Sequence, residues 1–419
     1  MPTRSRGSLW TRVLDQFWLL PLAFALAAAG LALGAYQLDQ ALDTSFTLPF
    51  LFAGGPEGAR SLLSAIITSM ISFTGLVFSI TIVVLQLTSS QFSPRVLRTF
   101  LRDRFTQVSL GVFVATFVYA LVVLRGVRGT AELEPFVPQV SVTLALGFVL
   151  ASVVVFLAYI HHIAQSIRVA TIIANIAADT HKAVERRHAP NAEPIASVAR
   201  PDGAGQIVAA DQSGVVQRVD GQRLEELAGS HKTVICLLRA VGEFVPRGAP
   251  LAVVHGARTF QLDDLRTAVR LGQERTLEED PGFGFRQLVD IAERALSPGV
   301  NDPTTAVQVI DALHDLLRHL AVRHLNPRQH LSQDGRLRVD VPQAGFADYV
   351  ELAVAEIAFW GGDDQRIQRR LAVMLDDLRV AALPEHRAAV TQVWKRHGHR
   401  VPAPAAPPDR PAPSDVGLR

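Results

Sequence analysis

A mainly α-helical membrane protein is what this sequence of 419 residues predicts: four transmembrane helices, a long cytoplasmic stalk helix, a small β domain and a C-terminal α-helical domain. Three observations carry that reading. Long apolar runs fill the chain to about Ile160, after which the composition becomes that of an ordinary soluble protein. Four of those runs reach the roughly 20 residues that a helix needs to cross a bilayer core. Short valine-rich runs bounded by turn residues follow, and beyond Leu262 the apolar rhythm is again helical. The domains therefore read as 1–160 membrane helices, 161–190 an extension of the fourth helix, 191–256 the β domain, 257–400 the α-helical domain and 401–419 a proline-rich tail without fixed structure.

The apolar runs are Phe17 to Tyr36, Leu62 to Leu87, Thr106 to Leu124 and Val140 to Ile160. The first is long for a secretory leader and no cleavage site precedes the acidic loop after it, so it reads as a retained helix. Arginines set the orientation, because positive charge near helix ends stays in the cytoplasm. Arg4, Arg6 and Arg12 precede the first span, and Arg95, Arg98, Arg102 and Arg104 fill the loop after the second. The other loops hold Asp39, Asp43, Glu57, Glu132 and Glu134 against Arg60, Arg125 and Arg128. A multi-pass protein of the inner membrane with both termini cytoplasmic is the expectation.

The second span carries Ser61, Ser64, Thr68, Ser72, Gly75, Ser79, Gln86 and Ser90 at steps of three, four or seven, which puts them in one stripe along a helix. Such a stripe lines a wet path, or else lets two helices approach closely and hydrogen-bond. No acidic or basic residue falls inside the four apolar runs, so the usual marker of proton relays is missing. SPRVLRTFLRDRF then places Val96, Leu97, Phe100 and Leu101 on one side and Arg95, Arg98 and Arg102 toward the other, the pattern of an amphipathic helix on the inner leaflet.

Past the fourth span, residues 161–188 contain neither glycine nor proline. Ile160, Ile163, Ile167, Ala170, Ala174 and Ala177 recur near the heptad spacing of about 3.5 residues, with Ile173 and Ile176 adjoining that stripe, which suggests a stalk packed against another surface, a symmetry mate being one candidate. His161 and His162 are neighbours and point to different faces, poor geometry for one metal and better suited to an interface. QIVAA, GVVQRV, TVICLL and PLAVV read as strands, with QRLEELAG as a helix between them. SGVVQRVDG and VGEFVPRGAPLAVVHG resemble the two halves of a barrel-sandwich hybrid, the fold of biotinyl and lipoyl carriers and of membrane-fusion adaptors. That resemblance implies an acceptor lysine on the hairpin between the halves. Here the connecting DGQRLEELAGSHKT has only Lys232, at a strand edge, so no covalent cofactor is expected. In the helical part, GFGFRQLVDIAERALSPGVNDPTTAVQVIDALHDLL is the most distinctive stretch. Ser297, Pro298, Gly299, Asn301, Asp302 and Pro303 form its signature turn, with Asp302 before Pro303 as a helix cap.

FSITIVVLQLTSSQFSPRVLRTFLRDR, FLAYIHHIAQSIRV, SGVVQRVD and RQLVDIAERALSPGVNDPTTA together resemble an uncharacterised family of predicted bacterial membrane proteins, domain of unknown function 2254. The resemblance spans nearly all of the chain except its extreme N-terminus and the proline-rich tail. It implies a four-helix membrane domain followed by a soluble region, and no reaction.

Composition narrows the function further. A net charge of +2 and no basic stripe with aromatics argue against nucleic acid, and Cys236 as sole cysteine excludes internal disulfides and cysteine metal clusters. Asp290, Glu293, Asn301, Asp302 and Asp311 supply oxygens near the signature turn, but capping and exposed helix faces account for them as well as a cation would. No phosphate-cradling loop, GxGxxG or HExxH is present. No enzyme activity or cofactor is therefore expected. The partners expected are the lipid bilayer, further copies of the chain, and a small solute or protein whose identity the sequence does not disclose. Two functions follow. One is a homo-oligomeric channel or transport protein for ions or small solutes with a cytoplasmic regulatory domain. The other is a membrane-anchored binding, scaffold or sensor module.

Overall fold

The computed structural model describes residues 18–41, 51–91, 103–129, 136–166, 168–190, 192–256, 262–362 and 364–397. The chain forms two compact units, one ending at Arg168 and the other beginning at Val169. Arg95, Arg98 and Arg102, expected to contact the inner leaflet, and the tail from Val401 lie outside the described residues.

The first unit holds α1 (Leu19–Ala41), α2 (Pro56–Gln91), α3 (Arg104–Gly126) and α4 (Gln139–Ser166). All four are long and apolar enough to cross a membrane. At 1.5 Å per residue, the 36 residues of α2 extend about 54 Å, well beyond a hydrocarbon core of roughly 30 Å. Helix α3 is central and packs on the other three. Glycine lets α1 come close: a Cβ at Gly126 would lie 2.5 Å from the Tyr36 ring, and one at Gly111 would lie 3.0 Å from Phe24. Phe113, Tyr119 and Tyr159 are fully buried, so side chains fill the middle of the bundle.

The second unit begins with α5 (Val169–Arg187). Its β part comprises β1 (Gln206–Ala209), β2 (Gly214–Val219), β3 (Val234–Leu237), β4 (Phe244–Val245), β5 (Pro250–His255), β6 (Val269–Gly272), β7 (Arg328–Leu331) and β8 (Leu337–Val341), with helices α6 (Gly221–His231) and α7 (Leu262–Arg266). The helical part comprises α8 (Pro281–Leu296), α9 (Pro303–Ala321), α10 (Phe346–Trp360), α11 (Gln365–Ala381) and α12 (Pro384–His397). One sheet has strand order β1-β5-β3-β8-β7 and the other β4-β2-β6. Val208, Val216, Leu224, Ile235, Val254, Leu265 and Val339 share the core between them. The expected strands coincide with β1, β2, β3 and β5.

Three expectations need correction. The fourth span does not run on as one stalk helix, because α4 ends at Ser166 and α5 starts at Val169. Ala170 and Ala174 of the heptad stripe are exposed, while Ile172, Ile173, Ile176, Thr180, Ala183 and Val184 are buried. That face packs on α8 and α9 of its own unit, so it follows the wider apolar stripe of a globular helix and not a narrow coiled-coil line. The stretch 257–400 is not purely helical, since β6, β7 and β8 complete both sheets and β3 pairs in parallel with β8. The two halves compared with a barrel-sandwich hybrid put β2 in one sheet and β5 in the other, joined through α6, and the larger sheet is finished by these later strands. Short isolated runs such as RQHL and LRVDV give no period that separates strand from loop until a partner strand is present.

Candidate functional site

Within the first unit, the α2 stripe lies on the side turned away from the bundle. Leu63, Ile66, Met70, Val77 and Val84 form the buried face of α2, whereas Ser64, Thr68, Ser72, Gly75, Ser79 and Gln86 are all exposed. Ile71, Phe78 and Ile82 share that outer surface, each about half exposed. Thr68 Oγ1 donates to the Ser64 carbonyl at 2.9 Å and Ser72 Oγ to the Thr68 carbonyl at 3.1 Å, so these hydroxyls are satisfied by their own helix. A Cβ at Gly75 would meet nothing within 4 Å.

Polar contacts that the sequence did not reveal, two of them made by the already noted Asp39 and His162, tie the helices together inside the bundle. Helix α1 continues past Tyr36, so Asp39 belongs to its last turn and is only 9% exposed. It caps α4: Val140 N–H donates to Asp39 Oδ1 at 2.8 Å, and Ser141 N–H and Oγ donate to Oδ2 at 2.9 and 2.6 Å. Tyr119 OH then reaches the Ser141 carbonyl at 3.2 Å. Thr116 meets Ser152 at 2.9 Å and Thr81 meets Tyr159 at 2.7 Å. At the far end of α4, His162 Nε2 lies 2.7 Å from Asp103 Oδ2, the cap of α3. Ser141, Ser152 and Tyr159 are 11 and 7 residues apart, which keeps them on one face of α4. His161, by contrast, is exposed.

In the second unit the signature turn links α8 to α9. Ser297 Oγ donates to the Arg294 carbonyl, Val300 and Asn301 N–H both donate to the Ser297 carbonyl, and Asn301 takes φ +49°. Asp302 accepts from Thr305 N–H at 3.1 Å and Thr305 Oγ1 at 2.6 Å, with Pro303 opening α9. These bonds hold its carboxyl below the ordinary aspartate range. The carboxylates weighed as cation ligands go to arginines: Asp290 to Arg286 at 2.6 Å, Glu293 to Arg286 at 3.0 Å, and Asp311 to Arg370. No group of three or more potential metal-binding side chains occurs among the described residues. GFGF serves packing, since Phe285 is fully buried and Gly284 sits against Thr180 of α5. Lys232 is the left-handed C-cap of α6, at φ 54°.

A second cluster, invisible in the sequence, lines a cavity between the end of α5, the start of α8, β7 and α10. Arg187, His188, Glu279, Asp280, Arg328 and Tyr349 face it, although their positions span more than 160 residues. His188 is 5% exposed, and burial, with Arg187 and Arg323 nearby, pushes it down to about 4. Burial first and then the Asp280 charge push the Tyr349 hydroxyl up to about 12. At neutral pH the imidazole is thus uncharged and the phenol keeps its proton.

Four helices long and apolar enough to cross a membrane, followed by an α/β unit, are the build of a membrane protein. The chain belongs to the family described as "Predicted membrane protein (DUF2254)", whose model matches residues 15–377. It is 35% identical over 392 residues to the uncharacterized protein Mb1321c of Mycobacterium bovis and to the uncharacterized protein Rv1290c of Mycobacterium tuberculosis, covering 90% of this chain and 74% of each relative. No solved structure matches it.

Proposed function

We propose that the protein is a homo-oligomeric channel or transport protein for ions or small solutes, in which the outer face of α2 from each copy lines the path. Both termini and everything after Val169 lie in the cytoplasm in this reading, as the arginine-rich side of the spans suggests. The observation that carries it is the α2 stripe. Six hydroxyl, amide or glycine positions share one outward face that the chain's own bundle leaves uncovered, while the bundle interior is filled by Phe113, Tyr119 and Tyr159. A path between copies thus needs no rearrangement of the packed core.

Cysteine placed at Ser72 and Ser79 in a Cys236→Ala background, in protein reconstituted into liposomes, tests it. Rapid modification by a small water-soluble thiol reagent, with a change in conductance, is the expected result. Resistance at both positions with unaltered conductance would overturn the path. The second reading, a membrane-anchored binding module, draws support from the arginine-lined cavity of the second unit, and needs no path at all.

A further inference from the structure

Around the cavity at the end of α5 the guanidiniums outnumber the carboxylates: Arg187, Arg328, Glu279 and Asp280 line it, and Arg218 and Arg275 reach the same two carboxylates from outside the lining. Glu279 accepts from Arg328 at 3.1 Å and also pairs with Arg218 at 3.3 Å. Asp280 pairs with Arg275 at 2.8 Å and caps α8 through Phe283 N–H at 3.2 Å. Two carboxylates therefore already serve three guanidiniums. Arg187 is a fourth, and among the described residues no carboxylate lies within ion-pair distance of it. Its hydrogen-bond partner is neutral: Nη2 donates to Gln343 Oε1 at 2.6 Å, and Gln343 is held by donating its own amide to the Asn326 carbonyl. Burial, then the neighbouring Arg328, push the Arg187 guanidinium down to about 10 against the opposing pull of the Glu279 carboxylate, so it remains charged at pH 7 with no carboxylate in direct contact.

The rest of the wall completes a donor set. Tyr349 is 4% exposed and lines the cavity, where its hydroxyl keeps its proton at neutral pH and can donate it to an anion. The α8 N-terminus adds the positive end of a 16-residue helix. The cavity measures about 40 Å³, and since one water needs roughly 10–15 Å³ by this measure, it holds about three oxygen-sized groups. Its mouth is open to solvent, so a larger ligand can leave its remainder outside. Three oxygens bearing negative charge match a phosphoryl group.

We propose that this cavity binds a phosphoryl group, either inorganic phosphate or the terminal phosphate of a small phosphomonoester, with Arg187 and the Tyr349 hydroxyl as its principal donors and Arg328 as a supporting cation. Arg187 has free donors in a fork that suits such oxygens. The site would place an anion sensor in the second unit, and it stands whether or not α2 lines a path.

Calorimetric titration of the full-length protein in detergent at low ionic strength tests it, with inorganic phosphate and glycerol 3-phosphate as separate probes. One saturable site per chain is expected. Arg187→Met should weaken binding at least about tenfold and Tyr349→Phe by a smaller factor, while Arg369→Met, at an exposed position on α11, should bind as the wild type does. Without phosphate, Arg187→Met should melt at or above the wild-type temperature, because it removes a buried charge lacking a carboxylate partner; a purely structural arginine would give the opposite. Tighter binding of glycerol 3-phosphate points to a phosphomonoester ligand, and equal or weaker binding to free phosphate. The proposal is overturned if neither probe binds saturably below about 10 mM, or if Arg187→Met binds both as tightly as wild type.

Discussion

Asp39 offers the sharpest test of how the membrane unit holds together. The Asp39→Ala protein loses the cap of α4 and leaves Val140 N–H, Ser141 N–H and the Ser141 hydroxyl without the acceptors now 2.6 to 2.9 Å away. Removing a side-chain cap costs about 1 kcal/mol, and leaving a buried hydroxyl unpaired costs about 1–3 kcal/mol. Part of that second cost is recovered if Ser141 turns to a carbonyl of its own helix. The expected loss is therefore about 2–3 kcal/mol. Asp39→Asn, which keeps one acceptor oxygen, should lose about half as much. Reversible unfolding in mixed micelles measures both, and a cycle with Ser141→Ala isolates the pair, for which a coupling of about 1 kcal/mol is expected. If Asp39→Ala lies within about 0.5 kcal/mol of wild type, the α1 to α4 tie contributes nothing and the reasoning is refuted.

Two further outcomes are expected in the second unit. Gly284→Ala would place a Cβ 1.9 Å from Thr180 Oγ1, so despite a helix-propensity gain of about 1 kcal/mol the variant should be destabilised by about 1–2 kcal/mol, with partial recovery on adding Thr180→Ala; a rise in melting temperature for Gly284→Ala alone would contradict this close crossing. Burial and the Glu356 carboxylate raise Glu293 to about 7 from the ordinary glutamate value of 4.5. The folded state thus holds a proton that the unfolded chain releases between those values, and stability should fall as pH rises from 4.5 to 7. Glu356 is shifted the other way: burial opposes it, but hydrogen bonds from Arg286 and Glu293 hold it low, so its contribution is lost only below the ordinary glutamate range. Melting curves of Glu293→Gln against pH should lack about 1–2 kcal/mol of the wild-type fall, a value reduced for partial exposure, and an unchanged pH slope would count against the shared proton.

Much of the fold was legible because it rests on local periods. The apolar runs marked the four long apolar helices α1 to α4 and the valine-rich runs marked β1, β2, β3 and β5, since each pattern repeats within the segment itself. Asp302 and Pro303 likewise announced the start of α9, because a cap acts on N–H groups two or three residues away. The apolar stripe of residues 160–177 marked a helix that packs on something without naming what covers it. Isoleucines on a helix signal burial, but they do not say whether the covering surface is another copy or, as for Ile172, Ile173 and Ile176, helices more than a hundred residues later. Strands β7 and β8 were missed because each is four or five residues long and finds its partner only through the sheet.

The sequence by itself determined that this chain has four helices long and apolar enough to cross a membrane, the alignment of small polar residues along one side of α2 and the capped turn between α8 and α9, because each is set by neighbours within a few residues. Only the tertiary structure decided that the α2 stripe faces away from its own bundle, that Asp39 caps a helix about a hundred residues later, and that Arg187, Arg328 and Tyr349 converge on one cavity. Those facts depend on which faces pack against each other. Packing brings together charges from distant segments, and no local period records where they meet.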